Sequence, residues 1–168
     1  GVLEKAAVAL RPGGSIFIGD VRSLPLLEAF HSAGELSQAE DSTTSKQLRQ
    51  LVQTQLREED ELAVDPAFFN ALKQRVPQIN SIEIFPKRGR AHNELTKFRY
   101  QVVIHVGPQR VQKTGLSWRD RREEKPDLET LRRLLATEKP DTLGIKNVAN
   151  ARVVAEAQLV RLLAGDEA

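Results

Sequence analysis

"ALRPGGSIFIGDVRSLPLLEAF", Ala9 to Phe30, holds a turn, a strand and the start of a helix in direct succession. Pro12 and Gly13-Gly14 stop the preceding helix, and the apolar run Ser15 to Gly19 reads as a short buried strand. Leu24 to Phe30 then opens a new helix. Upstream, Val2, Leu3, Ala6, Ala7 and Leu10 share one helical face, with Glu4 and Lys5 outside it. Helix, turn, apolar strand and helix make one α/β crossover unit, so the fold class is α/β. Ligands of open α/β sheets collect beyond the carboxyl ends of the strands, where Asp20 and Arg22 leave this one. Either the pair faces a ligand there, or Asp20 caps the next helix and Arg22 pairs with a surface acid.

Downstream, "SAGELSQAEDSTTS" is polar, and an amphipathic helix follows from about Ser45 with Leu48, Leu51, Val52 and Leu56 as its apolar stripe. "VDPAFFNALKQRVP" reads as a compact helix with Asp65 as N-cap, Pro66 at the first position and Pro77 as stop. Its core stripe is Phe68, Phe69, Leu72 and Val76. "SIEIFP" and "KFRYQVVIHVG" alternate with period two and read as strands, joined by a loop too long for a tight hairpin. After Gly107 the chain turns polar, with an extended piece around Leu116 to Trp118 and a helix from about Asp127 carrying Leu128, Leu131, Leu134 and Leu135. A brief strand in "DTLGIKNV" and a last helix capped by Asn150 complete it. The change of character sets the domain bounds at 1–107 and 108–168, with a helical insert at about 33–64 that serves as a lid or as a passive extra layer.

Composition narrows the function classes. With 168 residues and 40% hydrophobic content, the chain is long enough to bury a core. The net charge is only +2, with bases and acids interspersed, which is not the clustered footprint of a nucleic-acid binder. The "KRGR" run, Lys87 to Arg90, has no stacking aromatics beside it and reads as a solvated loop. There is no cysteine, which excludes disulfides and thiolate chemistry and fits a cytoplasmic location. No apolar run approaches the roughly 18 residues that cross a bilayer, so no membrane partner is expected. The three histidines show no metal-ligand spacing, and no serine sits in a G-x-S-x-G elbow. The lack of any methionine, together with an uncapped first helix, predicts that the sequence is cut from a longer polypeptide.

Three blocks, "ALRPGGSIFIGDVRSLPLLEAFH", "DPAFFNALKQRVPQINSIEI" and "KRGRAHNELTKFRYQVVIHVG", resemble the methyltransferase domains embedded in nonribosomal peptide synthetases. The tail "LSWRD…LGIKNVANARVVAE" is similar to the segment that follows in that family. The resemblance implies a class I, Rossmann-like methyltransferase sheet, mainly parallel with an antiparallel last strand. Ser15 to Gly19 would be its fifth strand, Ser81 to Phe85 the sixth and Phe98 to Val106 the seventh. It also implies S-adenosylmethionine as cofactor, and adenylation and carrier-protein domains as partners. The glycine-rich turn and ribose-binding acid of the family are not in this sequence, since no G-x-G here follows a strand and opens a helix. The chain therefore matches the C-terminal half of such a domain, partnered by an N-terminal half that binds most of the cofactor.

The expected reaction is N-methylation of a carrier-bound aminoacyl group; the alternatives are O- or C-methylation, or a non-catalytic docking or structural piece. Methyl transfer needs a positioned nucleophile and, for an amine, removal of a proton. His92 and Glu94, in the irregular loop of the third block, are the catalytic candidates, an imidazole near a carboxylate being a tunable base. A solvated His92 and a turn closed by Asn93 and Glu94 is the structural alternative. Asp20, Arg22, Asn93 and Tyr100 are the candidate substrate-binding residues. Tyr100 and Arg99 point to opposite faces of their strand, so at most one lines the cleft. His31 is expected to end its helix as a partner of the helix dipole, and His105 is assigned no chemistry.

Overall fold

The computed structural model of the protein describes residues 1–108, 117–124 and 127–165. It falls into two bodies, one of Gly1–Arg110 with Ala151–Ala168 and the other of Val111–Asn150.

The first body is built on a four-stranded mixed sheet. Helix α1 (Val2–Ala9) ends at the Pro12–Gly14 turn, and β1 (Ser15–Ser23) follows. A 3₁₀ turn over Leu24–Leu26 leads into α2 (Leu27–Gln38), then come α3 (Ser45–Glu58), the two-residue β2 (Ala63–Val64) and α4 (Ala67–Arg75). Strand β3 (Ile79–Pro86), the one-turn helix α5 (Glu94–Lys97) and β4 (Arg99–Val106) complete this run. The sheet order is β2-β1-β4-β3. Strand β2 pairs parallel with the end of β1, whereas β4 runs antiparallel to both β1 and β3, so β1 and β3 point the same way.

The alternation read in the sequence buries one face. Val21, Tyr100, Val102, Ile104 and Ile79 pack with Ala7 of α1 and with Phe69 and Leu72 of α4, and Ile16, Ile18, Ile82 and Ile84 border them. Val102 and Ile104 are fully buried, as befits the central strand. On the opposite face Phe17 is 65% exposed, and a polar row crosses the sheet. His105 Nδ1 lies 2.9 Å from Ser15 Oγ, and its Nε2 lies 2.6 Å from Glu83. The "RPGG" turn is closed by backbone bonds, Gly13 N–H to Val106 O at 2.8 Å and Gly14 N–H to Arg11 O at 2.9 Å. Gly107 passes so close to this turn that a Cβ there would meet Gly13 N at 2.7 Å, which explains a glycine at φ +131°.

Six local expectations are corrected. Strand β1 does not stop at Gly19 but runs to Ser23, with Asp20 and Arg22 inside it. Helix α4 starts behind Pro66, so Asp65, which accepts from the Ala67 N–H at 2.8 Å, precedes the cap position. Helix α2 continues to Gln38, so His31 is mid-helix and cannot partner a C-terminal dipole. Asn150 does not cap the last helix, α8 (Val154–Ala164), which starts behind Val153 without a side-chain cap. Phe68 and Leu51 are about half exposed (49% and 46%), while Phe69, Leu72, Leu48 and Val52 carry the burial. The loop after β3 contains α5, which Asn93 caps by accepting from the Thr96 N–H at 3.2 Å. Helix α3 packs on α2, and α8 packs on α2 and α3. No helix among the described residues is long and apolar enough to cross a membrane.

The second body pairs β5 (Ser117–Asp120) in parallel with β6 (Leu143–Lys146). Helices α6 (Arg121–Glu124) and α7 (Leu128–Glu138) lie between them in sequence. Trp118 belongs to β5, and Leu116 of the expected extended piece lies outside the described residues. Asp127 caps α7 by accepting from the Thr130 N–H at 2.7 Å. Of the expected leucine stripe, Leu131 and Leu134 are half-buried, Leu128 is 73% exposed and Leu135 49%.

Asp120 is the polar centre of this body. It accepts from Asn147 Nδ2 at 2.7 Å and from the Arg122 N–H at 2.9 Å, and pairs with Lys146 at 3.2 Å. The Asn147 amide first, then the Arg122 N–H, hold its carboxyl down at about 2. Its folded value is below its ordinary 3.8, so its contribution is complete above about pH 4 and lost as the pH falls toward 2. Asn147, in the left-handed region at φ 59°, is tied to Asp120 by that bond. The Asn147 side-chain amide resonances should therefore hold their shifts down to about pH 3 and move near pH 2, and Asp120→Asn should move them already at pH 6. Unchanged shifts in the variant would refute this role.

Candidate functional site

The end of β1 is shaped by a bulge. Ile18 pairs with Val102 and Val21 with Tyr100, so Gly19 and Asp20 together face one residue of β4. Asp20 takes the left-handed conformation, φ 56°, to achieve this. The extra residue returns Val21 to the core face and puts Arg22 on the other, directly across from Arg99. Two opposed guanidiniums repel one another unless carboxylates stand between them, and here Glu61 and Glu94 do, with Glu59 on the far side of Arg22.

Glu61 pairs with Arg22 at 2.6 Å and takes both Arg99 Nη atoms, at 2.5 and 2.9 Å. Glu94 Oε1 accepts from Arg22 Nη2 at 2.9 Å, from Arg99 Nη2 at 2.8 Å and from Arg99 Nε at 3.3 Å. Glu59 Oε2 accepts from Arg22 Nη1 at 2.9 Å and contacts His31 Nε2 at 3.0 Å. The Arg22 guanidinium also lies over the Phe30 ring, 4.4 Å from its centroid, a cation–π contact. Arg22 is 8% exposed. Arg99 Nη1 donates to the Asp20 carbonyl at 3.1 Å, and the Asp20 carboxylate pairs with Lys87.

These contacts set the acid strengths. The Arg99 hydrogen bond holds Glu61 below the usual carboxylate range, and Lys87 does the same for Asp20. Burial pushes Glu59 up, but the Glu61 N–H, Arg22 and His31 together outweigh it and leave it lowered. Arg99 is raised, first by its bond to Glu61.

The loop carrying Glu94 is fastened from α8's approach. Arg152 donates to the carbonyls of Lys87 and Gly89, both at 2.8 Å. Thr96 Oγ1 donates to Ala91 O at 2.5 Å, and a Cβ on Gly89 would come within 2.5 Å of Thr96 Cγ2. Lys97 pairs with Glu156 at 2.6 Å.

Of the residues singled out in the sequence, Asp20, Arg22 and Glu94 meet in this cluster. Asn93 lies beside it as the cap of α5. His92 is exposed and makes no hydrogen bond among the described residues. Tyr100 lies in the core, edge-on to Phe69, and its hydroxyl donates to Val64 O at 2.9 Å. Burial and then Asp65 push it up to about 12. Arg99, Glu59, Glu61 and His31 were not chosen from sequence. Arg99 was legible in outline, because an apolar Tyr100 face leaves Arg99 on the other.

The described residues do not by themselves fit S-adenosylmethionine. The diglycine turn lies at the amino end of β1, with its N–H groups bonded internally, and the carboxyl edge is filled by ion pairs.

No family model matches the chain. It is 39% identical to chondramide synthase of Chondromyces crocatus over 97% of its own length and 4% of that protein. It is 35% identical to a nonribosomal peptide synthetase of Alternaria alternata, over 91% of this chain and 3% of the relative. With cyclosporin synthetase of Tolypocladium inflatum it shares 38% identity, over 84% of this chain and 1% of the relative. The chain thus spans a few per cent of the length of the curated relatives it matches.

Proposed function

We propose that this chain, which is related to nonribosomal peptide synthetases, supplies the acceptor side of a methyltransferase domain and serves N-methylation of a carrier-bound aminoacyl group. The observation that carries the reading is the Arg22–Arg99–Glu94 cluster. It assembles charged residues from two separate blocks of the family resemblance at the carboxyl edge of β1, where open α/β sheets bind ligands. The antiparallel β4 in a sheet whose β1 and β3 run the same way also suits a class I methyltransferase. In this reading 1–107 form the C-terminal half of the domain and 108–168 follow it as an appendage whose last helix, α8, returns to pack on that half. S-adenosylmethionine is held by an N-terminal half outside this chain, His92 takes a proton from the acceptor amine, and adenylation and carrier domains of one synthetase deliver the substrate.

The test compares two polypeptides. Residues 1–168 alone should bind S-adenosylmethionine too weakly for calorimetry to detect at micromolar concentration. A longer polypeptide that adds the upstream half should bind it and pass labelled methyl to an aminoacyl thioester. Micromolar binding by residues 1–168 overturns the division between halves, and a longer polypeptide that labels no amine overturns the reaction.

A further inference from the structure

Resting on that reading, we infer that Arg22 and Arg99 are positioning residues. They hold Glu94 so that one carboxylate oxygen is spent and the other is offered to the protonated α-amine of the acceptor. All three hydrogen bonds to Glu94 end on Oε1. Among the described residues Oε2 accepts none, and the side chain is 40% exposed. A carboxylate fixed by two guanidiniums from neighbouring strands has little freedom to swing, so Oε2 is a directed acceptor. Charge points the same way. The linked groups are the cations Arg22, Arg99 and Lys87 and the carboxylates Asp20, Glu59, Glu61 and Glu94. The free oxygen belongs to a carboxylate, so an ammonium group pairs with it by charge and a neutral hydroxyl does not. Glu94 therefore anchors the amine by charge through this fixed oxygen.

The experiment uses residues 1–168 with ¹³C-labelled glutamate, the Glu94 carboxyl resonance being assigned by its loss in Glu94→Gln. The probes are alaninamide, which carries the ammonium without a carboxylate, and lactamide, its neutral hydroxyl analogue. At pH 7, with an α-amino pKa of roughly 7.7–8.0, alaninamide should move the Glu94 resonance saturably and lactamide should not. At pH 10 the alaninamide effect should vanish. Arg99→Lys keeps the charge but loses the paired geometry, and should weaken the response about tenfold. Glu61→Gln alters an exposed residue that holds both Arg99 Nη atoms, loosens the fork that fixes Glu94, and should weaken it several-fold with the fold intact by circular dichroism. Equal shifts from lactamide, or unchanged affinity in both variants, would overturn the inference. Its failure is separable from that of methyl transfer. A longer polypeptide that methylates while alaninamide leaves Glu94 unmoved defeats only the inference. A polypeptide that transfers no methyl while Glu94 still titrates selectively with the amine defeats only the reaction.

Discussion

Replacing Arg22 by alanine should destabilise the protein by about 3 kcal/mol, the lower end of what breaking a buried ion pair costs. Arg22 and Glu59 have side chains only 9% and 11% exposed, so removing the guanidinium leaves a carboxylate in a site from which water is largely excluded. The lower end applies because Glu61 and Glu94 are about 40% exposed and recover hydration when released. The lost cation–π contact with Phe30 adds to the cost. Urea unfolding should show a lower midpoint with an unchanged slope, the mark of lost stability rather than altered compactness. The double variant Arg22→Met, Glu59→Gln should recover much of the loss, because no buried charge is then left unpaired. If Arg22→Ala and the double variant unfold at the same midpoint, the buried carboxylate is not the source of the penalty.

In the longer polypeptide, His92→Ala should lower methyl transfer by ~10²–10⁴-fold, the usual contribution of a general base. Glu94→Gln should fall in the lower part of that range, and both should leave cofactor affinity unchanged. His92 is exposed and makes no hydrogen bond among the described residues, so its loss costs the fold little and the effect reports on chemistry. The two variants should differ in which constant they move: His92→Ala should lower kcat with the KM for the acceptor unchanged, whereas Glu94→Gln should also raise that KM, because Glu94 binds the amine. Arg90→Ala, an exposed residue on the same loop, is the control and should behave as wild type. Wild-type rates for both His92→Ala and Glu94→Gln across pH 6–9 would make the loop structural and place proton removal outside it.

Much of the α/β frame was legible because it is written in local terms. The Pro12–Gly14 punctuation, the run Ser15 to Gly19 and the period-two alternation of Arg99–Val106 each constrain a short stretch of backbone without reference to the rest. The helix ends were less legible. The stretch "SAGELSQ" is polar in sequence, yet α2 runs through it to Gln38, with only Leu27, Ala29 and Ser32 of that helix buried. Packing of one narrow face outweighs a polar average.

The candidate site divides along the same line. Sequence alone marked Asp20 and Arg22 as charges at a strand's carboxyl end and Glu94 as part of a specific loop. It could not join them, since Arg22 and Glu94 are separated by 72 positions and meet only because β4 returns antiparallel beside β1. The one-residue bulge at Gly19–Asp20 decides which face Arg22 takes, and a shift of one residue in a strand exchanges its faces. Glu59 and Glu61 enter only through the parallel pairing of Ala63 and Val64 with Arg22 and Ser23, which brings the end of the helical insert to the sheet edge. Local residue chemistry fixed what each side chain could do. Register and strand order, which depend on pairing between distant segments, decided which of them act together.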